Sequence, residues 1–332
     1  MDIHDLSTPA VLIDAAALER NLAVMSEALP GTRLRPHVKA HKCTALAERQ
    51  AAHGHSTFTC ATPREVIGMA GAGLGDDLLL ANETVDPRRL AAMASLDGVA
   101  QVTVAIDSSA TLAAAAAAKI RNVLIDVNIG LPRCGVDPAG AGALADEARR
   151  LGLNVRGVMG YEGHLMMVAD AAEKEQQVNA AVDLLLAAHA DVGGEIVSSG
   201  GTGTYQFHRR VTEVQAGSYA LMDTAYATLG LPFDQALFVL GTVISVNAGW
   251  AVADVGLKSL GMDHGNPSIE GASVWFCSDE HVTFAPDGKL EVGDMVRVTP
   301  AHVDPTMSQH DAAWLVHGDN VVDRWSIDLR GW

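Results

Sequence analysis

Lys39 stands at the end of a short β-type run, in Leu34-Arg35-Pro36-His37-Val38-Lys39-Ala40-His41-Lys42. A partly desolvated amine loses its proton more easily there and becomes a nucleophile able to form a Schiff base with an aldehyde. The plain alternative is a surface lysine at a strand end. Further on, Ser198-Ser199-Gly200-Gly201-Thr202-Gly203-Thr204 and Gly217-Ser218-Tyr219 combine glycines with hydroxyls. Glycines let backbone N–H groups approach a phosphate, and hydroxyls donate further bonds, although each segment alone also has the composition of a flexible turn. Arg133, in Gly130-Leu131-Pro132-Arg133-Cys134-Gly135, supplies a guanidinium that can pair with a phenolate or cap a helix. Tyr161, Glu162 and His164, in Gly160-Tyr161-Glu162-Gly163-His164, add an acid–base candidate. The last constellation is Pro300-Ala301-His302-Val303-Asp304-Pro305-Thr306. In extended chain, residues two apart point the same way, so His302 and Asp304 can offer nitrogen and oxygen to one divalent ion and leave coordination positions open. Asp279, Glu280 and His281 are candidates to support that ion, or simply an exposed turn.

The elements that must position these residues follow from periodicity. From about residue 32 to 218, β-rich runs alternate with alanine-rich stretches of helical period. Eight candidate strands lie near 33–38, 56–60, 77–81, 101–106, 122–127, 155–160, 195–199 and 212–216. Eight βα units predict a (β/α)8 TIM-type barrel, with its active residues at the carboxyl ends of strands and a phosphate after strands seven and eight. Lys39, Arg133, Tyr161, Thr202 and Ser218 all follow such ends. A phosphate on one side and a lysine on the other suits pyridoxal phosphate. After about residue 230 the runs FVLGTVISV, ASVWFC, HVTFA, DMVRVT, AAWLVH and NVVDRWSI alternate instead, and Asp287-Gly288 and Gly318-Asp319-Asn320 punctuate them. The expected class is therefore α/β, with a barrel over 15–230. A small, mostly antiparallel β domain is expected over 231–332, joined by 1–14.

Composition narrows the function classes. The chain has 332 residues, 48% hydrophobic and 19% charged, enough apolar content for a sizeable core. A formal net charge of −17 repels phosphate backbones and anionic lipid surfaces, so neither a nucleic acid nor a membrane is an expected partner. Cys43, Cys60, Cys134 and Cys277 form no C-x-x-C pair and read as reduced thiols. The opening MDIHDLSTPAVLID lacks a basic region followed by a long apolar one, and a cytoplasmic protein is expected.

Taken in order, RPHVKAHK, GLPRCGV, SSGGTGTYQF, EVQAGSYALMD and AHVDPT resemble the D-threonine aldolase and D-serine dehydratase family over nearly the whole chain. That family shares the alanine-racemase-type barrel of fold type III pyridoxal-phosphate enzymes. The resemblance implies that Lys39 is the Schiff-base lysine and that Arg133 meets the cofactor's phenolic oxygen. It implies phosphate contacts from Gly201, Thr202, Gly217 and Ser218, with Tyr161 and Tyr219 near the ring. It also implies metal ligation by His302 and Asp304. Aldolases of the family carry aspartate at the second ligand and dehydratases cysteine; the aldolase motif commonly reads H-C-D, from which Val303 departs at a position that is not itself a ligand.

The activity so implied is metal-dependent aldol cleavage of D-threonine and related D-3-hydroxy amino acids to glycine and an aldehyde, with His164 as base and manganese or magnesium as the ion. A homodimer acting on a small amino acid is the expected assembly. The alternatives are a metal-dependent dehydratase of D-serine or 3-hydroxyaspartate, then a racemase, for which GYEGH offers no opposite-face tyrosine. A non-catalytic pyridoxal-phosphate carrier on the same barrel would have no use for His302 and Asp304.

Overall fold

The computed structural model describes residues 1–332. Strand β1 (Ala10–Asp14) and helix α1 (Ala15–Ala28) are followed by α2 (Thr44–Ala52). Strand and helix then alternate through β2 (Thr57–Cys60), α3 (Pro63–Gly71), β3 (Asp77–Leu80), α4 (Pro87–Ala94), β4 (Val102–Ile106) and α5 (Ser109–Ala117). The alternation continues with β5 (Asn122–Asp126), α6 (Ala141–Arg150), β6 (Asn154–Met159), α7 (Ala171–Val192), β7 (Ile196–Ser199) and β8 (Glu213–Val214). Short helix α8 (Thr224–Ala227) leads to β9 (Leu237–Asn247), β10 (Trp250–Ala253), β11 (Ser268–Ile269), β12 (Ala272–Cys277) and β13 (Val282–Pro286). The chain closes with β14 (Met295–Thr299), α9 (Val303–Gln309), β15 (Ala312–His317) and β16 (Asn320–Ser326). No helix is long and apolar enough to cross a membrane.

Two compact units result. The barrel unit holds Met25–Lys39, Leu46–Gly217 and Leu329–Trp332; the β unit holds Met1–Val24, Ala40–Ala45 and Ser218–Asp328. Residues 15–24 and 218–230, which the sequence pattern places with the barrel, group with the β unit.

In the barrel unit β2 to β8 form one parallel sheet of seven strands in sequence order. Runs such as TFTC, VTVAI and DLLL are buried almost throughout, as parallel strands covered by helices must be. The helices start where cap residues dictate. Thr62 accepts from Glu65 N ahead of Pro63, and Asp86, Ser108 and Asp170 cap α4, α5 and α7. The expected strand over 33–38 is not a strand. Its residues make isolated bridges, Leu34 to Val214 and His37 to Thr59. Arg35 N donates to Val214 O (2.9 Å), His37 N to Ala216 O (3.0 Å) and Thr59 N to Pro36 O (2.9 Å), so the segment still links β8 to β2. Pro36 has no N–H to give, and 3-10 turns at Gly31–Arg33 and Val38–Ala40 leave too few extended residues for a ladder.

Opposite the carboxyl ends of the strands lies a buried ionic network. Arg35 donates to Glu213 (2.7 Å) and Asp77 (3.2 Å), and Arg156 grips both oxygens of Asp77 at 2.8 Å. Asp77 and Glu213 are the first residues of β3 and β8, which places this network at the amino-terminal end of the sheet. Burial opposes ionisation of Asp77, but the two guanidiniums hold its carboxyl below the ordinary range.

The β unit contains a nine-stranded sheet in the order β10-β13-β12-β11-β14-β9-β1-β15-β16. An additional β9–β10 pairing closes the first six of these into an antiparallel barrel. Strand β1 runs antiparallel to β9 and parallel to β15, so chain from both ends of the sequence completes one sheet. Leu12, Leu240 and Val316 pack together beneath it.

Candidate active site

Lys39 is half-buried in the 3-10 turn Val38–Ala40, directly after the segment that bridges β8 and β2. Gly130 to Gly135 leave β5 in a loop whose ends are tied together, Val136 N to Asp126 O (2.9 Å) and Asn128 N to Val136 O (2.9 Å). Gly135 N also donates to Asp107 Oδ2 (3.3 Å). On this loop the Arg133 guanidinium lies 5.3 Å from the Tyr161 ring centroid, a cation–π contact. Exposed His164 lies in the 3-10 turn Gly163–Leu165 after β6 and rests against Gly130, where a Cβ would stand 2.8 Å from His164 Cε1. Arg133, Tyr161 and His164 are thus gathered by two neighbouring strand ends.

The loop after β7 carries Gly201 and Thr202, both buried. It is held from beneath by Glu162, which is fully buried. One Glu162 oxygen accepts from Ser199 Oγ (3.0 Å) and Gly200 N (3.3 Å); the other accepts from Thr204 Oγ1 (2.6 Å) and pairs with His208 Nε2 (2.7 Å). Burial alone raises a carboxyl's pKa, yet the His208 and Thr204 contacts draw this one below the ordinary value. The sequence offered Glu162 as an acid–base group. It instead acts as a bracket for residues 199–208. Gly203 is required because a Cβ there would sit 2.5 Å from Met166 O. Lys174 Nζ donates to Met166 O (3.0 Å) and Gly203 O (3.2 Å), closing the same bracket.

Beside Arg133 stand Glu83, Asp107, Asp126 and Cys134. Burial first, then the neighbouring Glu83, pushes the Asp126 carboxyl well up. Burial and a hydrogen bond with Glu83 push the Cys134 thiol up to about 11.

Gly217 closes the barrel-unit segment, and the 3-10 turn Ser218–Ala220 opens the next, with Ser218 and Tyr219 buried in the β unit. Tyr219 packs on Phe233, ring centroids 5.7 Å apart. The fold family implies pyridoxal phosphate, and the barrel unit's residues fit it: a half-buried lysine, an arginine, and a glycine- and threonine-rich loop after the seventh strand.

His302 and Asp304 lie in the β unit, but not in extended chain. His302 is the N-cap of α9 and Asp304 lies in its first turn, so their relation is that of a helix start rather than of a strand face. Asp223, fully buried, fixes this start. Its carboxylate accepts from Tyr226 N (2.9 Å), capping α8, and from Val303 N (3.0 Å), between the two candidate ligands. Burial raises the Asp223 pKa against these bonds. Asp279 and Glu280 do not gather at His302; they form exposed ion pairs with Lys258 (3.7 and 2.9 Å). The residues that meet His302 are Asp263, bonded to Nδ1, and His264, stacked on the ring. Ligand atoms of Asp263, His264 and His302 lie within 4.8 Å of one another, a carboxylate and imidazole set suited to a divalent ion. Sequence reasoning missed Asp223 and Asp263 because both act over long separations; Asp223 closes the motif EVQAGSYALMD, the one local sign of it.

Residues 13–225 match the family described as "Alanine racemase, N-terminal domain", and residues 236–316 match the "Putative serine dehydratase domain". The chain is 34% identical to a D-threonine aldolase of Arthrobacter sp, over 98% of this chain and 93% of that protein. It is 32% identical to the 3-hydroxy-D-aspartate aldolase of Paracoccus denitrificans, covering 100% and 94%. It is 30% identical to the D-threo-3-hydroxyaspartate dehydratase of a Delftia species, covering 98% of each. The crystal structure of D-threonine aldolase from Filomicrobium marinum superposes with a TM-score of 0.92 at 34% identity, covering 98% of this chain and 96% of that one. With a lysine turn at one strand end and a glycine-threonine loop at another in its barrel unit, and His302 and Asp304 at a helix start in its β unit, the chain therefore belongs to the family of D-threonine aldolases, 3-hydroxyaspartate aldolases and 3-hydroxyaspartate dehydratases, and its residues 13–225 match the alanine racemase N-terminal domain.

Proposed function

We propose that the protein is a carbon–carbon lyase of the D-threonine aldolase type, which cleaves D-3-hydroxy amino acids to glycine and an aldehyde. The observation that carries this choice is Asp304. Of the two branches that the family resemblance distinguishes, aldolases carry aspartate at this position and dehydratases cysteine. Support for a metal comes from an imidazole and a carboxylate, His302 and Asp304, at one helix start, and from a D-threo-3-hydroxyaspartate dehydratase solved as a cysteine-to-alanine mutant in the metal-free form.

Pyridoxal phosphate held by Lys39 supplies an electron sink for the pair released when the Cα–Cβ bond breaks. Lys39 would anchor it, Arg133, held over the Tyr161 ring, would offer it a guanidinium, and the loop Gly200–Thr204, set by Glu162, would hold its phosphate. His302 and Asp304 would hold a divalent ion, manganese or magnesium by donor hardness, which would supply Lewis acidity at a hydroxyl oxygen. His164, exposed in the turn after β6, is the residue that would take up the hydroxyl proton.

The dehydratase reading keeps one observation in its favour, the serine dehydratase domain match over residues 236–316. One experiment separates the two. The protein loaded with cofactor and Mn2+ is offered D-threonine, L-threonine, D-serine and D-3-hydroxyaspartate. Acetaldehyde and glycine from D-threonine, with none from L-threonine, are expected. Pyruvate from D-serine forming faster than acetaldehyde from D-threonine transfers the assignment to the dehydratase.

A further inference from the structure

His302 Nδ1 lies 2.9 and 2.8 Å from the two oxygens of Asp263. A carboxylate only accepts, so the hydrogen of this bond is carried by Nδ1, and a neutral imidazole then presents Nε2 as a bare lone pair. The bond is exposed, but the backbone that carries both partners is held in place. Gly261 bridges to His302, and Gly261 N donates 2.8 Å to Thr306 Oγ1, which itself donates 2.7 Å back to His302 O. The loop that carries Asp263 is thereby pinned to the first turn of α9. His264, the next residue along, covers the His302 ring face to face, centroids 4.0 Å apart and planes 11° from parallel.

We infer that Asp263 is a positioning residue for the metal centre: it fixes His302 in the Nδ1–H tautomer, so that Nε2 is the ligand atom, while His264 restrains the ring's rotation. The inference rests on the proposed metal role of His302 and Asp304. It differs from direct ligation by Asp263, in which the metal and Nδ1 would compete for the same oxygens.

The test titrates Mn2+ into the cofactor-loaded full chain by calorimetry and compares wild type with Asp263→Ala and Asp263→Asn. Loss of an outer partner that orients a ligating histidine typically weakens metal affinity about 10- to 100-fold, and that loss is expected for Asp263→Ala. Asparagine keeps an oxygen able to accept from Nδ1–H, so Asp263→Asn is expected to stay within about threefold of wild type. Nitrogen-15 spectra of the metal-free proteins give a second readout. His302 appears as the Nδ1–H tautomer in wild type and Asp263→Asn, and shifts toward Nε2–H in Asp263→Ala. Wild-type affinity in Asp263→Ala overturns the inference, and so does equal loss in both variants, which marks Asp263 as a direct ligand. If His302→Ala/Asp304→Ala binds Mn2+ as wild type does, the metal reading itself falls and this inference with it; an unchanged tautomer pattern then shows that the error lies in the metal assignment and not in the Asp263 bond.

Discussion

Glu162 and His208 meet at 2.7 Å with both side chains wholly shielded from solvent. Their pairing ties β6 to the loop that follows β7. Removing one member of a buried pair strands the other, at a cost of about 3–5 kcal/mol. Glu162→Ala is therefore expected to lower unfolding free energy by that order in urea titrations and to loosen the cofactor, read as faster loss of pyridoxal phosphate on dialysis. A Glu162→Ala protein with wild-type stability and cofactor retention contradicts the bracket role.

The same pair sets a pH response. The Glu162 carboxyl lies below its ordinary 4.5 in the folded chain, so its contribution is complete above about pH 4.5. That contribution is lost as pH falls through the lower, folded value. Melting temperature should thus fall more steeply for wild type than for Glu162→Gln as pH drops below 4.5. Parallel slopes for the two proteins count against it.

Borohydride reduction of the cofactor-loaded protein is expected to fix the label on Lys39, and Lys39→Ala to lose the visible chromophore. Lys42 provides the control. Label recovered on Lys42 refutes the placement of the anchor.

Asp223→Ala removes the cap of two helices at once. A lost cap costs typically about 1 kcal/mol, so a loss of about 2 kcal/mol is expected, accompanied by weaker Mn2+ binding because α9 carries both candidate ligands at its start. Equilibrium unfolding and calorimetry check the two effects separately.

Cys134, with its thiol pushed up to about 11, is expected to react with alkylating and disulfide reagents far more slowly at pH 8 than a free cysteine peptide. Glu83→Gln is expected to speed that reaction by removing a nearby negative charge. Fast alkylation of Cys134 in the wild type rules out the shielding described.

The alternating pattern of the barrel, its candidate strands and the loops bearing Lys39, Arg133 and Gly201-Thr202 were legible because each depends on local periodicity or composition. The segment 33–38 misled for a local reason as well. Its residues are β-type, but Pro36 and the turns that flank it reduce pairing to single bridges. The histidine–aspartate pair at 302 and 304 was visible as a pattern, whereas its placement at a helix start was not, because Asp223 imposes that start from a distant part of the sequence. Asp263 lies 39 residues from His302, and only the fold brings them together.

Strand β1 lies between β9 and β15, so the sheet of the β unit is incomplete until the last strands of the chain have been made. During synthesis the first fourteen residues must wait, without their neighbours, while the whole barrel unit emerges. Pairing of such remote segments makes late, slow assembly the expected behaviour. An engineered chain starting at Ala15 would leave two long, apolar strand edges facing each other across a gap, open to strands from other molecules. Shortening the amino terminus therefore threatens solubility before it touches any residue of the active site.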